Sequence, residues 1–195
     1  MKSFPFKHIV IIGTTSSGKS ALAKQMADQF AQDFIELDSL HWESNWHEAL
    51  DEVFRARVDE ATRAGCWVVA GNYHQVRDII WSRAEAGIWL DYSFLRIFWQ
   101  LTVRTFRRGI LQEALWNGNR EKLWWHFKLW SDESLYRGLF KTYWRRKREY
   151  LQLFADPRYA HLTVIRFGSP READAWLAGF SVKPKQLNQT PSSNH

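Results

Sequence analysis

Among its 195 residues the sequence holds one cysteine, Cys66, which excludes an intramolecular disulfide and fits a reducing compartment. Cys66 opens the apolar run Cys66-Trp67-Val68-Val69-Ala70, a setting for a buried structural thiol rather than a reactive one. Long hydrophobic runs are missing as well. The longest near the amino terminus, Ile9 to Ile12, is too short for a signal-peptide core or a membrane span, so a cytoplasmic protein with no membrane partner is expected. No His/Cys/Asp spacing suits a zinc site. Neither a helix-turn-helix nor a zinc-finger pattern is present to read DNA directly. Internal repeats and linkers are absent too, and the length allows one full core, so we read a single domain over 1–181. Residues 182–195, rich in Lys, Pro, Gln, Asn and Ser, read as a flexible tail.

Acidic residues are scarce in one stretch only. Arg96 to Glu149 carries thirteen Lys/Arg against five Asp/Glu, a balance of +8 in a chain whose net charge is +6. Nucleoside triphosphates, nucleic acid and anionic lipid all suit such a stretch on charge alone. Tryptophan is abundant, with twelve. Trp42, Trp46, Trp116, Trp124, Trp125, Trp130 and Trp144 fall in segments that read as loop, lid or partly exposed helix, where they either line a pocket or pack.

The continuous β-branched run His8 to Ile12, ended by glycine, predicts a buried parallel strand, and Ser20 to Phe30 predicts a helix. Phe34–Asp38, Trp67–Ala70, Ile88–Asp91 and Leu162–Phe167 read as further strands. Between them, Glu48–Arg63 is an amphipathic helix with Leu50, Val53, Phe54, Val58 and Ala61 on one face, ended by Gly65. Gln75–Glu85 is a short helix and Phe94–Arg108 a long one. A Trp-rich charged stretch of about 109–130 reads as a lid, and a helix capped by Ser131 runs to Phe154. Ser169-Pro170-Arg171-Glu172 has the cap, proline and glutamate of a helix start, and that helix runs to Ala178. Strands alternating with helices predict an α/β fold with a parallel sheet covered on both faces, its ligands at the carboxyl ends of the strands.

Gly13-Thr14-Thr15-Ser16-Ser17-Gly18-Lys19-Ser20 matches G-x-x-x-x-G-K-[ST] between a predicted strand and a predicted helix, the context that a phosphate-binding P-loop requires. The glycines let the backbone turn its N–H groups inward, Lys19 reaches the β/γ oxygens of ATP, and Ser20 ligates Mg²⁺. Asp38 and Asp91, each ending a predicted strand, come to the same rim, and either can serve the metal; Asp91 suits a helix N-cap nearly as well. Tyr92 stands after Asp91 where a hydrolytic motor usually has glutamate, which favours transfer over hydrolysis. No Asn-Lys-x-Asp comes after the loop, which weakens a GTPase reading. Arg104 and Arg108 share a helix face with Arg107 beside them, a pair that can grip a triphosphate or be a solvated basic face; Arg145, Arg146 and Arg148 add cations further on. Asp38-Ser39-Leu40-His41-Trp42 and Gly71-Asn72-Tyr73-His74 come after strands, where an acceptor would lie. Asp38 is the residue to orient or deprotonate an acceptor hydroxyl. Arg77 and Arg83 can bind an anionic acceptor or form surface ion pairs.

In order along roughly residues 8 to 178 stand the P-loop, Leu37-Asp38-x-Leu40-His41-Trp42, Gly71-Asn72-Tyr73 with Arg77-Asp78, Trp89-Leu90-Asp91, Arg104 to Arg108, and Ser169-x-Arg171-Glu172. This series resembles the adenylate-kinase-like P-loop proteins known as topology modulation proteins, relatives of shikimate and gluconate kinases. The resemblance implies a three-layer P-loop fold with a five-stranded parallel sheet in the order 2-3-1-4-5 and a helical Arg/Trp-rich lid. It further implies Arg104 against the adenine, Arg108 on the phosphates and Arg171 near the base, with Asp38, His41, Trp42, Gly71, Tyr73 and Arg77 toward the acceptor. ATP and Mg²⁺ are the expected cofactors, and a nucleotide or hydroxyl metabolite the expected acceptor. Direct nucleic-acid binding by an ATPase, or by a regulatory nucleotide-binding protein acting on DNA topology, is the rival that the +8 stretch keeps open.

Overall fold

A computed structural model describes residues 2–111 and 135–182, with side chains described for 2–107 and 136–182. The predicted lid beyond residue 111, with Trp116, Trp124, Trp125 and Trp130, the Ser131 cap and the tail from 183 onward therefore lie outside the described residues. Strand β1 (His8–Gly13) leads into helix α1 (Lys19–Phe30), then β2 (Asp33–Glu36), the short α2 (Leu37–His41), α3 (Asp51–Ala61) and β3 (Trp67–Ala70). Helix α4 (Arg77–Arg83), β4 (Ala86–Leu90), α5 (Phe94–Leu111), α6 (Leu135–Phe154), β5 (Thr163–Phe167) and α7 (Pro170–Ala178) complete it.

The five strands form one parallel sheet in the order β2-β3-β1-β4-β5. Parallel neighbours need crossovers, and the helices that supply them cover both faces. The period of two along β1 sorts its side chains. Ile9 and Ile11 enter a core with Met26 of α1, Ile97 and Leu101 of α5, and Leu177 of α7. Val10 and Ile12 enter the opposite core with Phe54 and Val58 of α3 and Ile80 and Trp81 of α4. Helix α6 gives Leu139 and Tyr143 to the first core and Tyr150 to the second, so it ties the two layers together. The start of α7 obeys its sequence. The Ser169 hydroxyl accepts from the Glu172 N–H, while the Glu172 carboxylate accepts from the Gly168 N–H and the Ser169 hydroxyl.

Three details differ from the sequence expectations. Strand β2 stops at Glu36, and Leu37–His41 coils into α2, held by the Ser39 hydroxyl donating to the Glu36 carbonyl at 2.7 Å and the Trp42 N–H donating to the Asp38 carbonyl at 3.0 Å. Asp38 therefore sits in the first turn of a helix rather than at a strand end. Helix α3 starts at Asp51 rather than Glu48, which leaves Leu50 outside it and 76% exposed and Val53 partly exposed; Phe54 and Val58 alone are buried from its apolar face. Ser93, not Asp91, caps α5, its hydroxyl accepting from the Arg96 N–H at 3.4 Å.

After β3 the chain passes Gly71, whose φ of +152° side chains rarely adopt, and a Cβ there would come within 2.7 Å of Leu37. Gly71→Ala is expected to lower stability by about 2 kcal/mol, combining backbone strain with overpacking, as measured by equilibrium urea unfolding. A change under about 0.5 kcal/mol would mean that α2 does not pack on this turn as described.

Candidate functional site

The loop between β1 and α1 is shaped to receive an anion. Ser16 and Gly18 take left-handed conformations, φ 62° and 89°, which turn successive amides toward one side. No side chain caps the first turn of α1, so the positive end of that helix opens on the loop. The hydroxyls of Ser16 and Ser17 are buried with no hydrogen-bond partner. An orphaned buried hydroxyl is costly unless something meets it, and a phosphate oxygen is a fitting partner. The Lys19 ammonium turns back on its own loop, donating to the carbonyls of Gly13 at 3.1 Å and Thr14 at 2.9 Å. Burial, and after it the nearby charge of Arg146, lowers its pKa to about 8; Arg104 pushes the same way and Asp38 opposes. A group crowded by cations and buried in this manner is set to receive an anion.

The loop opens into a cavity of about 660 Å³. Thr15, Ser16, Gly18, Lys19 and Ser20 line one end. Asp38, His41, Trp42, Gly71 and Tyr73 line the other, so five residues predicted for an acceptor share one hollow with the phosphate loop. The Tyr73 hydroxyl donates to Asp38 Oδ1 at 2.6 Å and is itself hydrogen-bonded by the Trp42 side chain. Burial, reinforced by the Asp38 charge, pushes the Tyr73 phenol far above its ordinary pKa, so it stays a donor at any working pH. His41 is 3% exposed, its ring flanked by Trp42, Phe54 and Tyr73 at centroid distances of 5.1, 4.9 and 4.5 Å. Its Nδ1 is buried without a partner.

Other predicted residues go elsewhere. Arg77 does not line the cavity: its guanidinium pairs with Glu149 of α6 at 2.8 Å and lies over the Trp81 ring. Arg83 pairs with Asp59 at 2.5 Å and donates to the Thr62 hydroxyl, the ion-pair alternative read from the sequence. Asp91 also stands off the cavity, with Lys147 at 3.0 Å on one carboxylate oxygen and Arg166 on the other. Arg171 is exposed in the first turn of α7 and lines no part of the cavity. Arg104 lines it; Arg108 lies on the same helix, but its side chain is outside the described residues.

Sequence reasoning named Arg146 only among several further cations and Asn72 only within a turn, and passed over Glu36, Glu48 and Gln100. Arg146 reaches the cavity from α6, and Glu36, Glu48, Asn72 and Gln100 line it too. The Asn72 amide donates to the Tyr150 hydroxyl, which holds the turn after β3 against α6. A second hollow of about 640 Å³ shares Ala21, Gln100 and Arg104 with the first and is lined further by Arg96, Trp99 and Arg107. The i, i+4 spacing of Arg96, Gln100 and Arg104, with Trp99 and Val103 beside them, was a signal for that face. Among the described residues, no group of three His, Cys, Asp or Glu side chains is placed to hold a metal ion, and no helix is long and apolar enough to cross a membrane.

No protein-family model matches the sequence, and no curated protein matches it. Its structure is similar to that of a shikimate kinase from Bacteroides thetaiotaomicron, with a TM-score of 0.52 and 17% identity over 90% of this chain and 96% of the other. A gluconokinase from Sinorhizobium meliloti 1021 superposes with a TM-score of 0.48 and 21% identity, over 91% and 94% of the two chains. A shikimate kinase from Acinetobacter baumannii in complex with shikimate gives 0.46 and 15%, over 89% of each. The first of these likenesses establishes the fold: the chain shares the parallel α/β architecture of that shikimate kinase over 90% of its length.

Proposed function

We propose that the protein is a Mg²⁺-dependent kinase that moves the γ-phosphoryl group of ATP to a small acceptor, and that within this class it stands beside the topology modulation proteins. The observation that carries the reading is the shared cavity, with Lys19 on its phosphate loop at one end and the Asp38–Tyr73 pair at the other. A binding module needs the loop but has no use for a partly buried carboxylate beside it, held by a tyrosine hydroxyl.

In this reading the amides of Gly13 to Ser20 cradle the β- and γ-phosphates, and the Ser16 and Ser17 hydroxyls gain the partners they lack. Lys19, Arg104 and Arg146 neutralise the charge that spreads over the phosphoryl oxygens. Arg108, from sequence, joins them. The base and ribose fit the second hollow, against Trp99 and the stems of Arg104 and Arg107. Ser20 is the residue that would hold Mg²⁺, since Asp91 is occupied by two cations, and the ion would supply counter-charge to the phosphate oxygens. Asp38 receives the proton of the acceptor hydroxyl as its oxygen attacks phosphorus. His41, Trp42 and the Gly71–Tyr73 turn enclose the acceptor.

The test is incubation of the protein with γ-labelled ATP and pooled metabolites; if no acceptor takes up label while ATP still binds, the protein is not a kinase. Asp38→Asn keeps the hydrogen bond from Tyr73 and is expected to lower the single-turnover transfer rate by roughly 10²–10⁴-fold with nucleotide affinity little changed. An equal loss of affinity would place Asp38 in nucleotide binding instead.

The Lys19 pKa fixes a pH dependence. A bound polyphosphate favours the protonated ammonium and raises its pKa above the free value of about 8. Below pH 8 the ammonium is already charged and affinity is flat; above it each nucleotide bound takes up a proton. ATP affinity should thus fall as pH rises past 8, by at most about tenfold per unit, with calorimetry showing proton uptake at pH 9 and little at pH 7. Lys19→Ala should bind about a hundredfold more weakly and lose this pH dependence.

A further inference from the structure

Charges of both signs line the cavity. Lys19, Arg104 and Arg146 gather at the phosphate loop, close enough that both arginines depress the Lys19 pKa, while Asp38 and Glu36 act on it in the opposite sense. Beyond them, the charged side chains on the acceptor side are the carboxylates of Glu36, Asp38 and Glu48. Three arginines of α3 and α4 that an anionic acceptor could use are turned into ion pairs instead of lining the cavity. Arg55 holds Asp78 at 2.7 Å, Arg57 holds Glu43 at 2.9 Å and Arg77 holds Glu149 at 2.8 Å. Among the described residues the fixed positive charges that line the cavity are Lys19, Arg104 and Arg146, which the phosphates of ATP engage in the kinase reading.

The position of Glu48 is built rather than accidental. The chain folds into a small antiparallel hairpin in which Trp42 bridges Glu48, the Glu43 N–H donates to the His47 carbonyl at 2.8 Å, and the Ala49 N–H donates to the His41 carbonyl at 2.8 Å. Asn45 and Trp46 close it with left-handed φ of 61° and 59°. This hairpin pairs Glu48 with Trp42 across its two arms and sets the Glu48 carboxylate, 67% exposed, 4.0 Å from His41 Nε2. A carboxylate across from an aromatic ring is the chemistry that recognises an ammonium group. The buried, unpartnered His41 Nδ1 beside them offers a hydrogen bond to a polar group of the same molecule.

Resting on the kinase reading, we infer that the acceptor is a hydroxyl compound bearing a protonated amine, an amino alcohol or amino sugar. Its ammonium is seated between Glu48 and Trp42 and its hydroxyl lies at Asp38. The hydroxyl oxygen bonds to the γ-phosphorus as the bond from that phosphorus to the bridging oxygen breaks. The hydroxyl proton passes to Asp38, and the products are ADP and a phosphate monoester that keeps its ammonium.

The test separates a small-metabolite extract on ion exchangers into cationic, neutral and anionic pools and incubates each with the full chain, Mg²⁺ and γ-labelled ATP. Label is expected in the cationic pool at ten times or more the level in either other pool. Acetylating the amines of that pool, which removes the charge and leaves the hydroxyls, should abolish its labelling. Glu48→Gln should raise KM for the labelled cationic compound about tenfold, with kcat and KM for ATP within twofold, a split that a merely structural role would not produce. Preferential labelling of the anionic or neutral pool, or undiminished labelling after acetylation, overturns the inference and leaves the kinase standing. Labelling of no pool removes the kinase reading and the inference with it.

Discussion

A Cβ on residue 13 would lie 2.6 Å from the Ser17 hydroxyl and 3.0 Å from the Leu90 carbonyl, and that tightness at the end of β1 governs the path of the chain into α1. Glycine lets β1 pair with β4 up to Leu90 and then reverse at once, so that α1 starts six residues on with its amino end facing back toward the strand. The reversal buries the Ser17 hydroxyl and brings the Lys19 ammonium onto the carbonyls of Gly13 and Thr14. A longer loop would satisfy those groups with water or side chains. The tight one leaves them for a ligand, which is how a backbone constraint becomes an affinity for phosphate.

Helix α6 then closes the rim that this turn defines. Along little more than two turns it sends the Tyr143 hydroxyl to the Tyr92 carbonyl at 2.9 Å, Arg146 into the cavity, Lys147 to Asp91 and Glu149 to Arg77. The Tyr150 hydroxyl accepts from Asn72. The Arg77–Glu149 pair is partly exposed and contributes little, on the order of 0–1 kcal/mol, while Lys147 chiefly offsets the desolvation of the Asp91 carboxylate, which is 6% exposed. Burial of Tyr143 and Tyr150 contributes more, roughly 1.5–3 kcal/mol per large side chain. Position therefore comes from the aromatics, and the charges set which polar groups remain available at the site.

The parts of this arrangement written in local pattern were legible. The β1 run, the glycine-lysine loop, the Ser169-Pro170 cap and the helix ending at Phe154 are each decided within a few residues, and each stands where the spacing puts it. The order β2-β3-β1-β4-β5 came from a resemblance and not from periodicity, and the sheet has it. What escaped was decided across the fold. Arg77 looks like a ligand for an anion until Glu149, 72 residues later, takes it; Asp91 looks like a metal ligand until Lys147 and Arg166 arrive from α6 and β5. Arg146 failed to stand out in a basic run because only the helix phase against the cavity separates it from Arg145 and Arg148. Leu50 reads as core only if α3 begins early, and the backbone starts it one residue after Leu50.

The Asp38–Tyr73 bond carries a consequence for the selectivity of the proposed transfer. Because burial and the neighbouring carboxylate keep the phenol protonated, one Asp38 oxygen is always occupied by a donor, and Trp42 in turn fixes the phenol. The other carboxylate oxygen, which carries no such donor, is the freer of the two to receive a proton. Its direction is set by a chain of three side chains anchored in the α2 turn and the Gly71 turn, the second of which lies against Leu37 of the first. A polyhydroxylated acceptor can then present only the hydroxyl that meets that oxygen while its other end is held in the cavity. Selection of one hydroxyl among chemically similar ones would result from geometry, without any difference in their acidity.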